Sequence, residues 1–266
     1  MTVLECESPV GESYCATNCV KSTIRRKTDG VWEDFSDYII EEQVIPVFVN
    51  GVKLFTLVCS PTDLLELAIG RLFTEGYIDR SSVIGKCEYD KSRGAIYIEI
   101  SRTSLSMDGE GRRVSRKVWR DQNLGYSVFS CEISNLMKKL ESTSCLFHKT
   151  GGVHSAALAS KGTIIARYDD LGRFNAIDKL AGWCLKNKVK TADKVLLFSG
   201  RMPHDVVAKV VRIGCPVIAS PGAPTSLSID LAEEVGLTII GFVKENRLNV
   251  YSCKDRILDA KEAFAG

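Results

Sequence analysis

The first organised stretch of the chain alternates apolar and polar positions with the period of two that is typical of β-strands. The predicted strands of this stretch are 44–50, 54–59, 85–89 and 95–100. Between the first two, Asn50-Gly51 is a strong signal for a tight hairpin. A helix is predicted to begin at Ser60-Pro61 and to end at Gly76, because these residue types suit helix starts and helix ends. The pattern therefore predicts a compact α+β unit.

The second half of the chain alternates short apolar strands with helices of about ten residues. The predicted strands are 153–159, 163–168, 195–198, 216–219 and 237–242, and the predicted helices are 176–186, 204–213 and 227–235. This alternation is typical of βαβ units, so a largely parallel sheet covered by helices is expected. The predicted fold class is α/β, or α+β overall when the N-terminal unit is included.

Polar, unpatterned stretches suggest how the chain is divided. Residues 1–30 are predicted to be a flexible tail, with partner binding as the weaker alternative. The segment from 102 to 130 is polar, partly basic and without periodicity, which favours a linker. We therefore expect an N-terminal α+β domain at 31–120 and a second domain at 121–266. The second domain would carry Cys131 in a mobile loop at its start, just ahead of a helix.

Composition removes several function classes. The 266 residues carry a net charge of +2, with 45% hydrophobic and 26% charged residues. A nucleic-acid-binding protein is usually more basic, and no apolar run is long enough to span a membrane. The N-terminus lacks the apolar core of a secretory signal. We therefore expect a cytoplasmic protein that binds neither nucleic acid nor membrane.

The ten cysteines do not form a zinc-binding pattern. No Cys-x-x-Cys occurs, and disulfides are uncommon in the cytoplasm. Cys59, Cys184 and Cys215 fall in apolar patterns and are predicted to be small buried side chains. The roles of Cys6, Cys15 and Cys19 stay open.

Three loops concentrate glycine and arginine after predicted strands. They are 169–173, 199–201 and 220–226, and two of them bring an arginine, Arg173 and Arg201. In open α/β sheets, ligands bind beyond the C-terminal ends of the strands. Helix N-termini and guanidinium groups suit anions, so these loops predict an anion site. Any one of them alone would more often be an ordinary turn.

His154 opens a predicted strand whose hairpin partner ends near Tyr168 and Asp169. The imidazole is therefore expected beside carboxylates and near Arg173, where it could act as an acid or a base. A lone histidine in such a position is more often structural. No phosphate-binding loop and no dinucleotide fingerprint occurs. No metal site is expected at the chain's histidines, His148, His154 and His204, because they fall at different points of the topology.

These segments resemble the FdhD/NarQ family in order and spacing. The matching segments are 150–154 (TGGVH), 169–179 (DDLGRFNAIDK), 199–201 (SGR), 223–226 (APTS), 241–243 (GFV) and 249–251 (NVY), and in the N-terminal half 41–42, 49–51, 60–61, 66–70 and 75–76. Together they cover about residues 40 to 251 and are highly specific as a set.

The resemblance implies a small α+β domain followed by a cytidine-deaminase-like three-layer α/β/α domain. It implies a sulfur carrier, here through Cys131, that takes sulfur from a cysteine desulfurase as a persulfide. The acceptor would be a molybdenum, or tungsten, bis-guanine-dinucleotide cofactor, a guanine-containing pterin bound transiently and not tightly. The partner served would be the formate dehydrogenase catalytic subunit, and a homodimer is an open expectation. The residues expected to bind the cofactor are Gly151, Gly152, His154, Asp170, Arg173, Asn175, Asp178, Lys179, Ser199, Arg201, Pro224, Thr225 and Ser226.

The chain departs from the family pattern at the sulfur-carrying loop. The family usually has Cys-Gly-x-Cys-Gly there. Aligning Cys131 with the second family cysteine places Val128 at the first. In the other register Cys131 is the first and Ser134 takes the place of the second. Phe174 stands where the family usually has histidine, and Asp169 replaces a glutamate.

The sequence is compatible with three functions. The leading hypothesis is a persulfide carrier that also binds the cofactor. The second is a cofactor- or guanine-nucleotide-binding chaperone that has lost sulfur transfer. The third, a zinc hydrolase with a deaminase-like fold, is disfavoured because the chain lacks the His-x-Glu and Cys-x-x-Cys ligand motifs.

Overall fold

The computed structural model describes residues 18–101 and 125–259. Residues 102–124 of the predicted linker at 102–130 lie outside this range, and so do Cys6 and Cys15. The strands are β1 Cys19–Thr28, β2 Val31–Ile40, β3 Gln43–Val49, β4 Val52–Cys59, β5 Ile84–Asp90, β6 Ala95–Ile100, β7 Val128–Phe129, β8 His154–Ser160, β9 Thr163–Asp170, β10 Val195–Phe198, β11 Val217–Ala219, β12 Thr238–Lys244, β13 Arg247–Val250 and β14 Ile257–Leu258. The helices are α1 Leu64–Thr74, α2 Ser130–Ser142, α3 Cys145–Thr150, α4 Arg173–Lys186, α5 His204–Ile213 and α6 Ser226–Val235, with one 3₁₀ turn at Lys254–Arg256.

The N-terminal unit is a four-stranded sheet in the order β4-β3-β6-β5, covered on one face by α1. The predicted hairpin is confirmed, since Val49 pairs with Val52 around the Asn50-Gly51 turn. The predicted helix start is wrong by a few residues. α1 begins at Leu64 and follows Asp63, which has the left-handed conformation. Ser60 does not start the helix, because its backbone N–H donates a hydrogen bond to the Asp170 carboxylate instead.

The second half contains a six-stranded sheet in the order β13-β12-β11-β10-β8-β9. A mixed α/β fold is confirmed, but the sheet is less parallel than predicted. β10, β11 and β12 are parallel neighbours, joined by the crossover helices α5 and α6. β8 and β9 form an antiparallel hairpin, and β8 also pairs antiparallel with β10. The reason is the short turn at Lys161-Gly162, which reverses the chain and leaves no room for a crossover helix.

Helices cover both faces of this sheet, giving three layers. Strand residues of one parity, such as Ala157 and Leu197, pack against α2 through Ile133 and Leu136. Residues of the other parity, among them Leu158 and Phe198, pack in the cluster that contains α4, α5 and α6. The alternation follows from the period of two along each strand. Any strand residue can therefore be assigned to the α2 face or to the α4 face.

The core of the N-terminal unit continues into the second half. Buried side chains of β3, β6 and α1 belong to the same hydrophobic cluster as those of α4 to α6. α1 and α4 cross in close contact at two glycines. A Cβ atom on Gly70 would lie 1.7 Å from the backbone oxygen of Asp178, and one on Gly182 would lie 1.9 Å from that of Glu66. Only hydrogen at these positions permits the crossing.

The predicted irregular tail at 1–30 is wrong for its described part. Residues 19–28 form β1, which pairs antiparallel with β2 over its whole length. Val20 and Ile24 alternate with polar residues along β1, and this pattern predicts a strand once β2 is available as its partner. The basic residues around Arg25 favoured the prediction of a flexible tail over a strand, because charged side chains are also typical of disordered segments.

The helix crossing predicts that neither glycine tolerates a side chain. Gly70→Ala and Gly182→Ala should each lower the free energy of unfolding by about 1–3 kcal/mol or more, because a methyl group overlaps backbone atoms that cannot move aside cheaply. Gly85→Ala is the matched control, since its Cβ would be 3.4 Å from its nearest neighbour. Urea denaturation measures the effect, and equal stability of all three variants would contradict the crossing.

Candidate functional site

One edge of the six-stranded sheet collects the loops that the sequence singled out. β8 begins there with His154, which pairs with Asp170 at the end of β9. β10 ends at the same edge, since Phe198 pairs with Ala156. β11 runs parallel to β10, so its following loop at Ser220 lies at this edge too. α4, α5 and α6 all begin here, and their N-terminal N–H groups favour an anion at this edge.

Three glycines hold these loops against one another. A Cβ on Gly222 would lie 2.7 Å from the Gly200 oxygen, and one on Gly241 would lie 3.0 Å from the Gly222 oxygen. Ser220 donates its hydroxyl to the Gly200 oxygen at 2.6 Å. Met202 donates its backbone N–H to Ala223 at 2.9 Å. The loops after β10 and β11 therefore form one packed rim.

His154 lies half-buried at this rim on the α4 face. Its ring stacks with Phe198 at a centroid distance of 6.3 Å, and its Nδ1 is 3.4 Å from the Ser199 hydroxyl. Burial lowers the pKa of His154 below its ordinary value of 6.5, and the positive charge of Arg173 lowers it further. The structure thus brings His154, Ser199 and Arg173 together, and it favours a neutral imidazole at neutral pH.

Asp170 and Lys179 form a fully buried ion pair at 2.8 Å. The Lys179 ammonium also donates to the Thr62 hydroxyl and to the Asp169 backbone oxygen, each at 3.0 Å. Asp170 accepts the backbone N–H of Ser60 at 3.2 Å. Both side chains were predicted to bind the cofactor directly. In the structure both are fully buried with internal partners, and in this arrangement they position the loop before α4.

Asn175 and Asp178 also act within the fold. The helix predicted to begin at residue 176 begins at Arg173 instead, with Gly172 at the cap position. The Asn175 amide donates to Asp170 at 2.9 Å and to the Val58 backbone oxygen at 2.8 Å. Asp178 is buried and accepts hydrogen bonds from Thr74 at 2.6 Å and Lys209 at 2.8 Å. Burial raises the pKa of Asp178 above its ordinary value.

Sequence reasoning missed the residues that complete these pairs. Thr62, Thr74 and Lys209 were not predicted, although Ser60 belonged to one of the resembling segments. Thr62 and Thr74 lie more than a hundred positions from their hydrogen-bond partners in the sequence. No local pattern marks such a contact, and the one available signal was the presence of acidic and basic residues in an otherwise apolar helix face.

The remaining predicted binding residues are accessible at the rim. Arg173 is half-buried, with its guanidinium carbon 5.0 Å from the Phe174 ring centre. Arg201, Thr225 and Ser226 are exposed. Pro224 bridges to Met202. Gly151 and Gly152 are exposed at the turn before β8, and Gly151 has a φ of 65°, which favours glycine.

Cys131 lies in the first turn of α2 and is exposed. The predicted exposure is confirmed, but the predicted loop is wrong, because the helix begins at Ser130. The thiol lines an open cleft of about 260 Å³ together with Ser134, Asn135 and the β12–β13 turn. Ser134, the alternative family position, therefore shares this cleft with Cys131.

The other described cysteines offer less accessible thiols. Cys59, Cys184 and Cys215 are buried, as predicted. Burial raises the pKa of Cys59 and of Cys184 to about 12, and that of Cys215 well above its ordinary value. Burial also raises the pKa of Cys87 to about 11. Since the thiolate is the reactive form, these side chains are poor nucleophiles.

Cys145 is disulfide-bonded in the structure. Disulfides were not expected from the sequence, so this is a correction. Cys145 begins α3, which leads directly into the Gly151-Gly152 turn.

Cys131 and His154 lie on opposite faces of the sheet. α2 packs on the face opposite α4, and His154 has the parity of Ala156 and Leu158, which belong to the α4 side. Thr143, just past the C-terminal end of α2, accepts a hydrogen bond from Arg167 at 2.6 Å, and the same guanidinium donates to Ser155, the second residue of β8, at 3.0 Å. Cys131 lies twelve residues before Thr143, which corresponds to about 18 Å along a helix. The thiol and the rim are therefore well separated.

Neither a metal centre nor a membrane span is found among the residues described. In residues 18–101 and 125–259, no group of three or more His, Cys, Asp and Glu side chains is placed to hold a metal ion. No helix in the same ranges is both long and apolar enough to cross a bilayer.

Comparison with known proteins places this fold and rim in context. The FdhD/NarQ family pattern matches residues 40–258. The chain belongs to the FdhD/NarQ family. The sulfur carrier protein FdhD of Staphylococcus aureus strain MRSA252 is 33% identical over 90% of this chain and 96% of its own length. That of strain JH9 is 32% identical with the same coverage. A crystal structure from Desulfotalea psychrophila, described as a formate dehydrogenase accessory protein, superposes with a TM-score of 0.77. It covers 91% of this FdhD/NarQ chain and all of its own, at 24% identity, so it supports the fold.

The electrostatics of the rim predict a change in the titration of His154. Arg173→Gln removes a positive charge, so the pKa of His154 should rise toward its ordinary value while burial still keeps it lowered. NMR titration of the imidazole protons measures it. Arg201→Gln is the matched control and should leave the pKa of His154 unchanged. An equal rise in both variants would show that the proximity of Arg173 is not the cause.

Proposed function

We propose that the protein is a sulfur carrier that supports formate dehydrogenase, and that Cys131 carries the sulfur as a persulfide. The single observation behind the carrier role is the accessibility of this thiol. Among the described cysteines with free thiols, Cys131 is the exposed one, and the others are buried or half-buried. The family membership of the chain, and the role of its relatives as sulfur carriers, support the same function.

The transfer step needs little from the protein beyond a reactive thiol. The Cys131 thiolate attacks the outer sulfur of a persulfide on a cysteine desulfurase. A sulfur–sulfur bond forms at Cys131, and the inner sulfur of the donor leaves as a thiolate. No oxidant is required, because the transferred sulfur keeps its oxidation state. The open cleft at Cys131 allows a donor to reach the thiol.

We propose that the rim binds the acceptor, a molybdenum or tungsten bis-guanine-dinucleotide cofactor. This ligand is a polyanion, and the rim offers three helix N-termini with Arg173 and Arg201. His154 and Ser199 would add neutral hydrogen-bonding groups between them. Asp170 and Lys179 hold the loop before α4 in place without contacting the ligand themselves.

A second function is favoured by one observation. Because Cys131 and His154 lie on opposite faces of the sheet, a ligand at the rim does not automatically meet the thiol. A cofactor-binding chaperone without sulfur transfer needs the rim alone. The two functions differ in whether Cys131 is needed.

The carrier role predicts a sulfur adduct on Cys131. After incubation with a cysteine desulfurase and cysteine, intact mass spectrometry should show a gain of roughly 32 Da. Cys131→Ser should abolish the gain and the activation of formate dehydrogenase. Cys253→Ser, which changes a partly buried thiol, is the matched control and should preserve both. If Cys131→Ser retains full activation, the chaperone function replaces the carrier function. If Cys145→Ser alone abolishes it, the carrier is misassigned.

The rim predicts guanine-nucleotide affinity that depends on both arginines. Arg173→Ala and Arg201→Ala should each weaken GDP binding by about 1.5–3 kcal/mol, the range for a charge-assisted hydrogen bond. Isothermal titration calorimetry measures the loss. Arg247→Ala, beside the Cys131 cleft, is the control and should bind GDP like the unchanged protein. Loss of affinity in the control alone would place the nucleotide at the thiol instead.

A further inference from the structure

The cleft at Cys131 is lined by polar side chains that the fold itself does not use. Ser134, Asn135 and Arg247 all line it. Within residues 18–101 and 125–259, none of these three side chains makes a hydrogen bond or an ion pair. A hydroxyl, an amide and a guanidinium group are therefore open to a ligand beside the exposed thiol.

Ser134 and Asn135 lie beside Cys131 because of helix geometry. They follow it by three and four positions in α2, and side chains at these spacings are neighbours on a helix surface. Cys131 is also in the first turn of α2, where the backbone N–H groups carry partial positive charge. This face of the helix therefore favours a negative charge at the sulfur.

The charged groups that line the cleft are Glu245 and Arg247. The Glu245 carboxylate is 3.0 Å from the Lys138 ammonium, which balances its charge. Arg247 has no carboxylate at ion-pair distance within the described residues, so its positive charge is not balanced in this way. Its guanidinium carbon is 5.4 Å from the ring centre of Phe242, and this contact limits the positions open to the side chain.

Two further carboxylates lie near the thiol but outside the cleft lining. Glu132 accepts the backbone N–H of Gly162 at 2.7 Å, and a carboxylate oxygen of Asp259 is 3.4 Å from the Ser130 hydroxyl. Both negative charges disfavour an anion on the thiol sulfur. Such an anion therefore depends on the cation that lines the cleft, which is Arg247.

A persulfide places an anion of this kind in the cleft. It lengthens the side chain of Cys131 by one sulfur–sulfur bond, about 2 Å. Its outer sulfur is more acidic than a thiol, because the neighbouring sulfur stabilises the negative charge, and the proton passes to water. We propose that Arg247 binds this outer sulfur as an anion, with Ser134 and Asn135 as additional hydrogen-bond donors.

This role of Arg247 rests on the proposed carrier function of Cys131 and adds a residue that serves it. The anionic form of a sulfur is the nucleophile, so binding the anion keeps the sulfur ready for the acceptor. No bond to Arg247 forms or breaks, and the sulfur keeps its oxidation state while it is held. Arg247 acts at the thiol cleft and not at the rim, where Arg173 and Arg201 lie.

The charge of the outer sulfur can be measured through its reaction with iodoacetamide. The full chain is loaded by a cysteine desulfurase with cysteine, desalted, and alkylated over a range of pH. Mass spectrometry of the peptide that contains Cys131 gives the rate at which the persulfide is alkylated. Arg247→Gln should shift the midpoint of this pH profile upward by about half a pH unit or more, and the rate below the midpoint should fall about threefold, because the anion loses a favourable charge.

Three further variants separate charge from structure. Arg247→Lys keeps the charge and should keep most of the original midpoint. Glu245→Gln releases Lys138 from its ion pair and should shift the midpoint downward. Lys139→Gln is the matched control and should leave the midpoint unchanged, because it removes the same charge from α2 at a side chain that donates to Gly162 and does not line the cleft. Salt at about 1 M should reduce the shift in Arg247→Gln, since exposed charges are screened.

The outcomes distinguish the role of Arg247 from the carrier function itself. If Cys131 takes up no sulfur, the carrier function fails and the role of Arg247 fails with it. If Cys131 is loaded and Arg247→Gln keeps the original midpoint, the carrier function stands and the role of Arg247 alone is overturned. Equal shifts in Arg247→Gln and Lys139→Gln would also overturn it, and so would an Arg247→Lys variant that behaves like Arg247→Gln.

Discussion

The rim depends on the buried ion pair between Asp170 and Lys179. Both side chains are fully buried, so each charge needs the other, together with the hydrogen bonds around the pair. Around them, Thr62 and Ser60 bring the loop before α1 to the loop before α4. Breaking a buried pair by removing one partner typically costs about 3–5 kcal/mol. The same contact thus fixes where α4 begins and joins the two halves of the chain.

This arrangement separates the accessible polar groups of the rim from the buried groups that position its loops. Arg173, Arg201 and His154 lie at the accessible rim, whereas the acidic residues beneath them face inward to lysines. An anion site with carboxylates at its surface would repel its ligand. Pairing Asp170 with Lys179 and Asp178 with Lys209 removes that repulsion and leaves the arginines as the accessible charges of these loops.

Local sequence patterns predicted most strands and helices of the fold. The errors arose at residues whose contacts lie far away in the sequence. The strands and helices of the second half were predicted because period, glycine and proline act within a few residues. The roles of Lys179 and Asp178 were not, since their partners at Thr62 and Thr74 are set by the α1–α4 crossing. β1 was missed because the strand needs β2 beside it. Cys131 was predicted to be exposed but not helical, because the buried apolar positions of α2 begin only at Ile133. The accessible residues of the rim followed from where strands end, which the sequence does show.

The crossing of α1 and α4 ties the two halves of the chain together. At Gly70 and Gly182 the helices approach so closely that backbone touches backbone. A larger side chain at either position would collide with the backbone of the other half. A chimaera that takes one half from a relative with a different helix surface is therefore expected to pack poorly at this crossing. The two halves differ in secondary structure, yet neither can be exchanged without regard to the other.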